Sequence, residues 1–591
     1  MNYPIWYLPE IGGGTLIALI AVFHVFISHF AVGGGLYLVM AEKKALREGS
    51  DAIMEFTRRH ARFFLLVTMV LGSISGVGIW FIIALVSPTA TSYLIHSFVF
   101  GWAAEWVFFM VEIAAAFVYF YMFGKMDSRD HLRVGYLYFF AAWMSLFLIN
   151  GIVGAMLTPG AWAENGNFWQ GFFNPSFWPS LFFRTFISIL LAGCYGYLTA
   201  SFSKETEVRE PMTRFSGLWS LVALVGCVPA GLWYLGVLPE EARALVLGKS
   251  PTIGVMLQNG MAAVVLLLVI TLLAGILKPS FNNKAVAAVA MVCAFISMGS
   301  FEWVREAARR PYVLNEVIYS NSIRKDHLEM LNEQGYLRSA LWLENKEVTA
   351  DNSMAAGREL FIHQCYACHT MGGGNNDLAV LTEKMSYNAL VSYINRIHEV
   401  RYFMPPFAGT EDEAKALAGY IAGEIHGKEI IEVRQPSADP LALGEAMFDQ
   451  HCSACHSPDD VAPYFSGEAR EVIAESLLNL NEISDEMEPF SGSRQERSAL
   501  ADYLMSINGE LEPAETAPLQ AKSGEPVFEM NCSMCHEAEE AAEMVADWTF
   551  EEIFNNLGQL DQLSDEMEPF AGSDEERRQL AAFLDSLKGG E

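Results

Sequence analysis

The chain has 591 residues with 69 Asp plus Glu against 38 Lys plus Arg, a formal net charge of −31 that excludes nucleic acid as an expected partner. A mean hydropathy of +0.24 is high for a wholly water-soluble protein of this length, so part of the chain is expected in a membrane. The charge is unevenly placed, because from Leu441 onward 34 acidic residues stand against 7 basic ones.

Eight long apolar segments fill the first half: 15–40, 63–86, 95–123, 134–157, 177–201, 215–238, 253–277 and 285–304. Each is long enough to cross about 30 Å of hydrocarbon as a helix. Nothing basic precedes the first and no small-residue cleavage site closes it, so it is not expected to be a cleaved signal peptide. The first, third, fifth and seventh connections hold fourteen Lys and Arg, among them Lys43, Lys44, Arg58, Arg129 and Lys204. The others hold only Arg243 and Lys249, which places the odd connections in the cytoplasm and both ends of the bundle outside.

Beyond the last segment, 313–350 reads as a polar connector, and three small helical units follow at 351–432, 433–510 and 511–591. Each carries one C-x-x-C-H run: Cys365, Cys368 and His369; Cys452, Cys455 and His456; Cys532, Cys535 and His536. In such a run the two thiols can form thioethers with haem vinyl groups, and the His is placed to ligate the iron. Each run is followed by a Met beside Pro and Phe, namely Met404, Met487 and Met567. A soft thioether in the second axial position suits electron transfer rather than catalysis, so three covalent haem c groups are expected as relays. The second and third units repeat with a period of 80, pairing Cys452 with Cys532 and Met487 with Met567. In bacteria such haem is attached outside the cytoplasmic membrane, which agrees with the topology from the charges. The acidic tail is then either a solubilising surface or a docking face for a basic electron carrier. The remaining Cys194, Cys227 and Cys293 lie in apolar runs and read as packing residues.

Ionisable side chains inside membrane spans are costly and mark candidate sites. His24 could serve as the single axial ligand of a bundle haem, or as a core His bonded to a carbonyl; His29, five residues on, faces elsewhere. Glu105 and Glu112 are seven apart, on one helix face, as a pair able to pass protons. Glu302 and Glu306 with Arg305, Arg309 and Arg310 read by themselves as a charged collar at the membrane surface.

Two stretches resemble subunit I of the cytochrome bd oxidases: Phe23-His24-Val25-Phe26 followed by Gly33-Gly34-Gly35, and Glu306-Ala307-Ala308-Arg309-Arg310-Pro311-Tyr312 continuing into Glu316-Val317. The resemblance covers roughly 1–317. It implies that His24 and Glu306 ligate two non-covalent haems, b and/or d, in an oxygen-reducing pair. Arg309 matches a nearby essential Arg, and Glu112 a carboxylate involved in haem and proton handling. Glu105 is displaced by one from the family's second carboxylate, whose position holds Ala104. The family's low-spin haem has a His where this chain has Arg184, with Met261 matching its partner, and its long quinol-binding loop is replaced by the short 239–251 connection.

The whole is therefore expected to be all-α: an eight-span transmembrane bundle, 1–312, followed by three cytochrome c-like domains. The expected function is a respiratory terminal oxidase subunit in the bacterial cytoplasmic membrane, working with a smaller bd-like membrane subunit. A periplasmic donor, such as a basic cytochrome, would supply the electrons that reduce oxygen. Nitric oxide as the reduced gas, a quinol-linked conduit without oxygen chemistry and a haem-based sensor are the alternatives.

Overall fold

The computed structural model describes residues 3–430, 440–453, 455–484, 487, 489–490 and 493–508, and scattered residues between 527 and 584. The chain forms two compact units, Met1–Leu511 and Glu512–Glu591.

Lipid offers no partner for backbone N–H and C=O groups, so the apolar runs close their hydrogen bonds internally as helices. Among the described residues eight are long and apolar enough to span: α1 (Gly13–Glu48), α2 (Asp51–Val86), α3 (Val99–Tyr121), α4 (Ser128–Gly154), α5 (Phe177–Ser201), α6 (Thr206–Gly236), α7 (Thr252–Leu277) and α8 (Lys284–Ala307). The first two run well past the apolar segments. At 36 residues α1 is about 54 Å long, so Lys43, Lys44 and Arg47 sit on helix rather than loop. Gly49, at φ +60°, closes α1 by donating its N–H to the Ala45 carbonyl, and the Ser50 hydroxyl caps α2 by accepting from Ile53 N–H.

Close approach between helices is carried by small residues. A Cβ at Gly33 on α1 would collide with the Ser188 carbonyl of α5, and Gly217 of α6 lies against Gly275 of α7.

Past α8 a short hairpin pairs β1 (Tyr312–Leu314) with β2 (Ile318–Tyr319). The stretch expected as a connector is instead packed: Ile323, Leu331, Tyr336, Leu337, Ala340 and Leu343 join the core of the first small unit. The buried Glu413 carboxylate holds it there, accepting Tyr336 N–H at 2.8 Å and Leu337 N–H at 2.7 Å. The segment before α1 docks on the same unit. Leu8 N–H donates to Tyr366 Oη at 2.8 Å, and Gly374 N–H donates to the Glu10 carbonyl at 2.9 Å.

Units one and two share a helix crossing. In the first, α9 (Ser353–Leu360) meets α10 (Glu411–Gly419) at Gly357, where a Cβ would strike the Ala416 carbonyl. In the second, α11 (Pro440–His451) meets α12 (Arg494–Ile507) at Gly444, against the Ala499 carbonyl. The 80-residue period reappears in the cores: Phe448, Ile473, Leu477, Leu500, Ala501 and Leu504 are buried in one cluster, and Phe528, Ile553, Leu557, Leu580, Ala581 and Leu584 in another.

Replacing Gly33 by Leu should force α1 from α5 at a cost of about 1–3 kcal/mol, the usual range for overpacking. The expected result is a lower midpoint for thermal loss of helical signal in detergent, with the c-type haem content unchanged.

Candidate functional site

One continuous cavity of about 3910 Å³ runs through the first compact unit. A small-molecule pocket usually measures roughly 300–1,000 Å³, so this space is of a size for several large groups. His24, Glu105, Glu112, Glu306 and Arg309 of the bundle line it. So do Cys365, Cys368, His369 and Met404 of the first small unit, and Cys452, Cys455, His456 and Met487 of the second. Cys535, His536 and Met567 lie outside the described residues. Of the third run Cys532 is described, and its N–H donates to the Phe528 carbonyl at 2.7 Å, as Cys452 N–H does to Phe448 at 2.8 Å.

His24 sits a third of the way along α1 with Nδ1 3.1 Å from Ser75 Oγ. That hydroxyl gives its own hydrogen to the Leu71 carbonyl at 2.7 Å, so it accepts from His24 Nδ1–H. The ring is thereby fixed in the tautomer that leaves Nε2 as a lone-pair donor on the cavity wall. His369 has the same arrangement: its Nδ1–H donates to the Asn376 carbonyl at 2.9 Å. Met404 lies on the short loop that leads into α10, its N–H bonded to the Arg401 carbonyl at 2.7 Å. These donor sets fit haem iron, with an imidazole nitrogen oriented by its other nitrogen and a thioether on the same cavity.

At the end of α8, Glu306 is ion-paired with Arg309, whose Nη1 donates to the Val313 carbonyl at 2.7 Å. Arg310 reaches the Cys368 sulfur, so the bundle meets the first C-x-x-C-H run at this turn. On α3, Glu105 accepts from Ser145 Oγ at 2.6 Å and Glu112 from Tyr138 Oη at 3.0 Å.

Two features were not expected from the residues alone. Glu302 is buried rather than part of a surface collar: its oxygens take Arg184 Nη1 and Arg305 Nε, each at 2.9 Å, and the same Arg184 nitrogen lies 3.5 Å from His29 Nε2. Opposite charges in two different apolar runs were the available signal. Met261, in contrast, is 54% exposed on α7. The second feature joins Glu42, Tyr119 and His131 on three helices.

The two small units meet where Ser386 Oγ donates to Asp449 at 2.5 Å and Ser392 Oγ to the Gln450 carbonyl at 2.6 Å. Burial lifts the Asp449 carboxyl to about 6.

The C-terminal part is thus a run of three cytochrome c domains on a membrane-spanning bundle. The family described as cytochrome C oxidase, cbb3-type, subunit III matches residues 352–421, 439–504 and 519–584. Among solved structures, the bd oxidase from Geobacillus thermodenitrificans aligns at 14% identity and a TM-score of 0.43, covering 52% of this chain and 89% of that one. No curated protein sequence matches the chain.

The raised Asp449 pKa gives a pH dependence of known sign. The folded state favours the neutral carboxyl, so this group's stabilisation is present below the ordinary carboxylate range and is lost as pH rises through about 6. Asp449→Asn should remove that loss, leaving the thermal midpoint of the second domain flatter between pH 4 and about 7. Differential scanning calorimetry of the whole protein reads it.

Proposed function

We propose that this chain is the haem-bearing subunit of a bd-like terminal oxidase fed from outside the membrane by its own cytochrome c domains. The observation that supports this most directly is the single cavity joining His24 and Glu306 to the Cys365–Met404 and Cys452–Met487 ligand sets. Three covalent haems would supply one-electron relays and two non-covalent haems the site of oxygen reduction, four electrons and four protons per oxygen molecule giving two waters.

His369 with Met404, His456 with Met487 and His536 with Met567 are the proposed axial pairs of the relays. His24, held by Ser75, would present Nε2 to one bundle iron, and Glu306 a carboxylate oxygen to another. Arg309 holds the Glu306 carboxylate in place by its ion pair. Arg310, against Cys368, brings a positive charge to the boundary between the first relay and the bundle. Glu112 and Glu105 would deliver protons to the cavity they line. The basic ends of the helices lie on the cytoplasmic side in this reading, and the cytochrome domains on the outer side. A smaller bd-like membrane subunit and an external basic cytochrome are the proposed partners, with Arg184 at the position that the resemblance gives to the His of a quinol-linked haem.

Purified complex should consume oxygen with pre-reduced soluble cytochrome and fail to do so with a short-chain quinol. Uptake driven by quinol alone, or none at full haem content, would overturn the reading in favour of an electron conduit. His24→Ala should abolish carbon monoxide binding in the reduced protein while leaving the three c-type spectra intact.

A further inference from the structure

Glu42 and His131 are both 3% exposed and lie where three helices converge, near the end of the bundle that carries Lys43, Lys44, Arg47, Arg129 and Arg133. His131 Nδ1 is 2.8 and 3.0 Å from the two Glu42 oxygens, and its Nε2 is 2.8 Å from the Tyr119 carbonyl. Tyr119 Oη donates to Glu42 at 2.7 Å. Both imidazole nitrogens therefore face acceptors. The pair can hold its proton as carboxylate and imidazolium or as carboxylic acid and imidazole, without moving a heavy atom.

This cluster is the end of a longer pattern. On α3, Glu105, Glu112 and Tyr119 follow one another at seven-residue spacing; on α4, so do His131, Tyr138 and Ser145. The helices pack antiparallel, and the two series meet rung by rung: Ser145 with Glu105 at 2.6 Å, Tyr138 with Glu112 at 3.0 Å, His131 with the Tyr119 carbonyl at 2.8 Å. Seven residues are about two turns, so the rungs are roughly 10 Å apart. Between the second and third lies a void of about 10 Å³ walled by Tyr119 and Tyr138 with Gly35, Gly135 and Phe64. That is about the least room a single water needs, and apart from the two tyrosines its walls are apolar side chains and glycines. The first two rungs open on the large cavity through Glu105 and Glu112.

We propose that Glu42 and His131 are the proton-loading station of the bundle. A proton held there passes through the Tyr119 hydroxyl and a chain of waters entering between the two rungs to the Tyr138 hydroxyl and Glu112, and so to the cavity. Each relay gives up its own hydroxyl proton as it takes the next, so charge is restored once Glu42 and His131 are reloaded from the basic end. No oxidant or reductant enters these steps. The proposal deepens the oxidase reading and rests on it for the use of the protons, while its test does not need oxygen.

The test is proton uptake by the full complex on anaerobic reduction, followed with an indicator dye in weakly buffered solution. The wild type should take up protons as the bundle haems become reduced. Glu42→Gln, which keeps both neighbours hydrogen-bonded, should slow uptake at least ~10-fold, with haem spectra and thermal midpoint unchanged. Tyr119→Phe, which keeps the carbonyl bonded to His131, should slow it similarly, and Glu42→Asp should restore most of the rate. Wild-type uptake rates in both folded variants would overturn the proposal, as would absence of uptake in the wild type. Slowed uptake in Glu42→Gln from a complex that consumes no oxygen would support this proton route while sinking the oxygen-reducing reading.

Discussion

An ion in hydrocarbon must bring its own partner, and the centre of the bundle is built around that requirement. Arg184 on α5 and Arg305 on α8 share the Glu302 carboxylate at 2.9 Å each, and the guanidinium of Arg184 also lies 5.6 Å from the centre of the Phe301 ring. Removing one member of such a pair leaves a buried charge uncompensated at about 3–5 kcal/mol. Register between α5 and α8 is therefore fixed at one point. Glu306, Arg309 and Arg310 follow Glu302 on the same helix and the turn after it, so their position on the cavity wall is inherited from that pair.

Much of this organisation is legible in the residues because it is local. Apolar runs of bilayer length, C-x-x-C-H runs and an 80-residue repeat can each be read along the chain, and among the described residues the apolar runs are helices and the repeat is a shared core. What escapes is long-range. The 313–350 stretch is polar overall, and its apolar residues follow neither a helical nor a strand period; they are buried because Glu413, 77 residues beyond Tyr336, draws the backbone in. Glu42 looks like one more charge beside Lys43 and Lys44 until Tyr119 and His131, 77 and 89 residues away, close over it. Glu302 reads as a surface charge until Arg184, 118 residues earlier, is found opposite.

The first cytochrome domain is held from two sides, and this follows from where the chain enters and leaves the bundle. Residues 5–10 precede α1 and residues 323–343 follow α8 and its hairpin, yet both lie against this one domain, through Tyr366 on one side and Glu413 on the other. Folding of the bundle has already brought these two segments together, so closing them over the domain costs little further chain entropy. The domain is thus clamped from both ends of the membrane part, with Arg310 against Cys368 at the seam. A group carried on Cys365 and Cys368 would then stand at a fixed distance from the bundle. Fixed spacing is what a relay into a buried site requires, and a domain tethered by a flexible linker alone would not provide it. The second and third domains reproduce one core at an 80-residue offset, so the sequence there becomes a repeat.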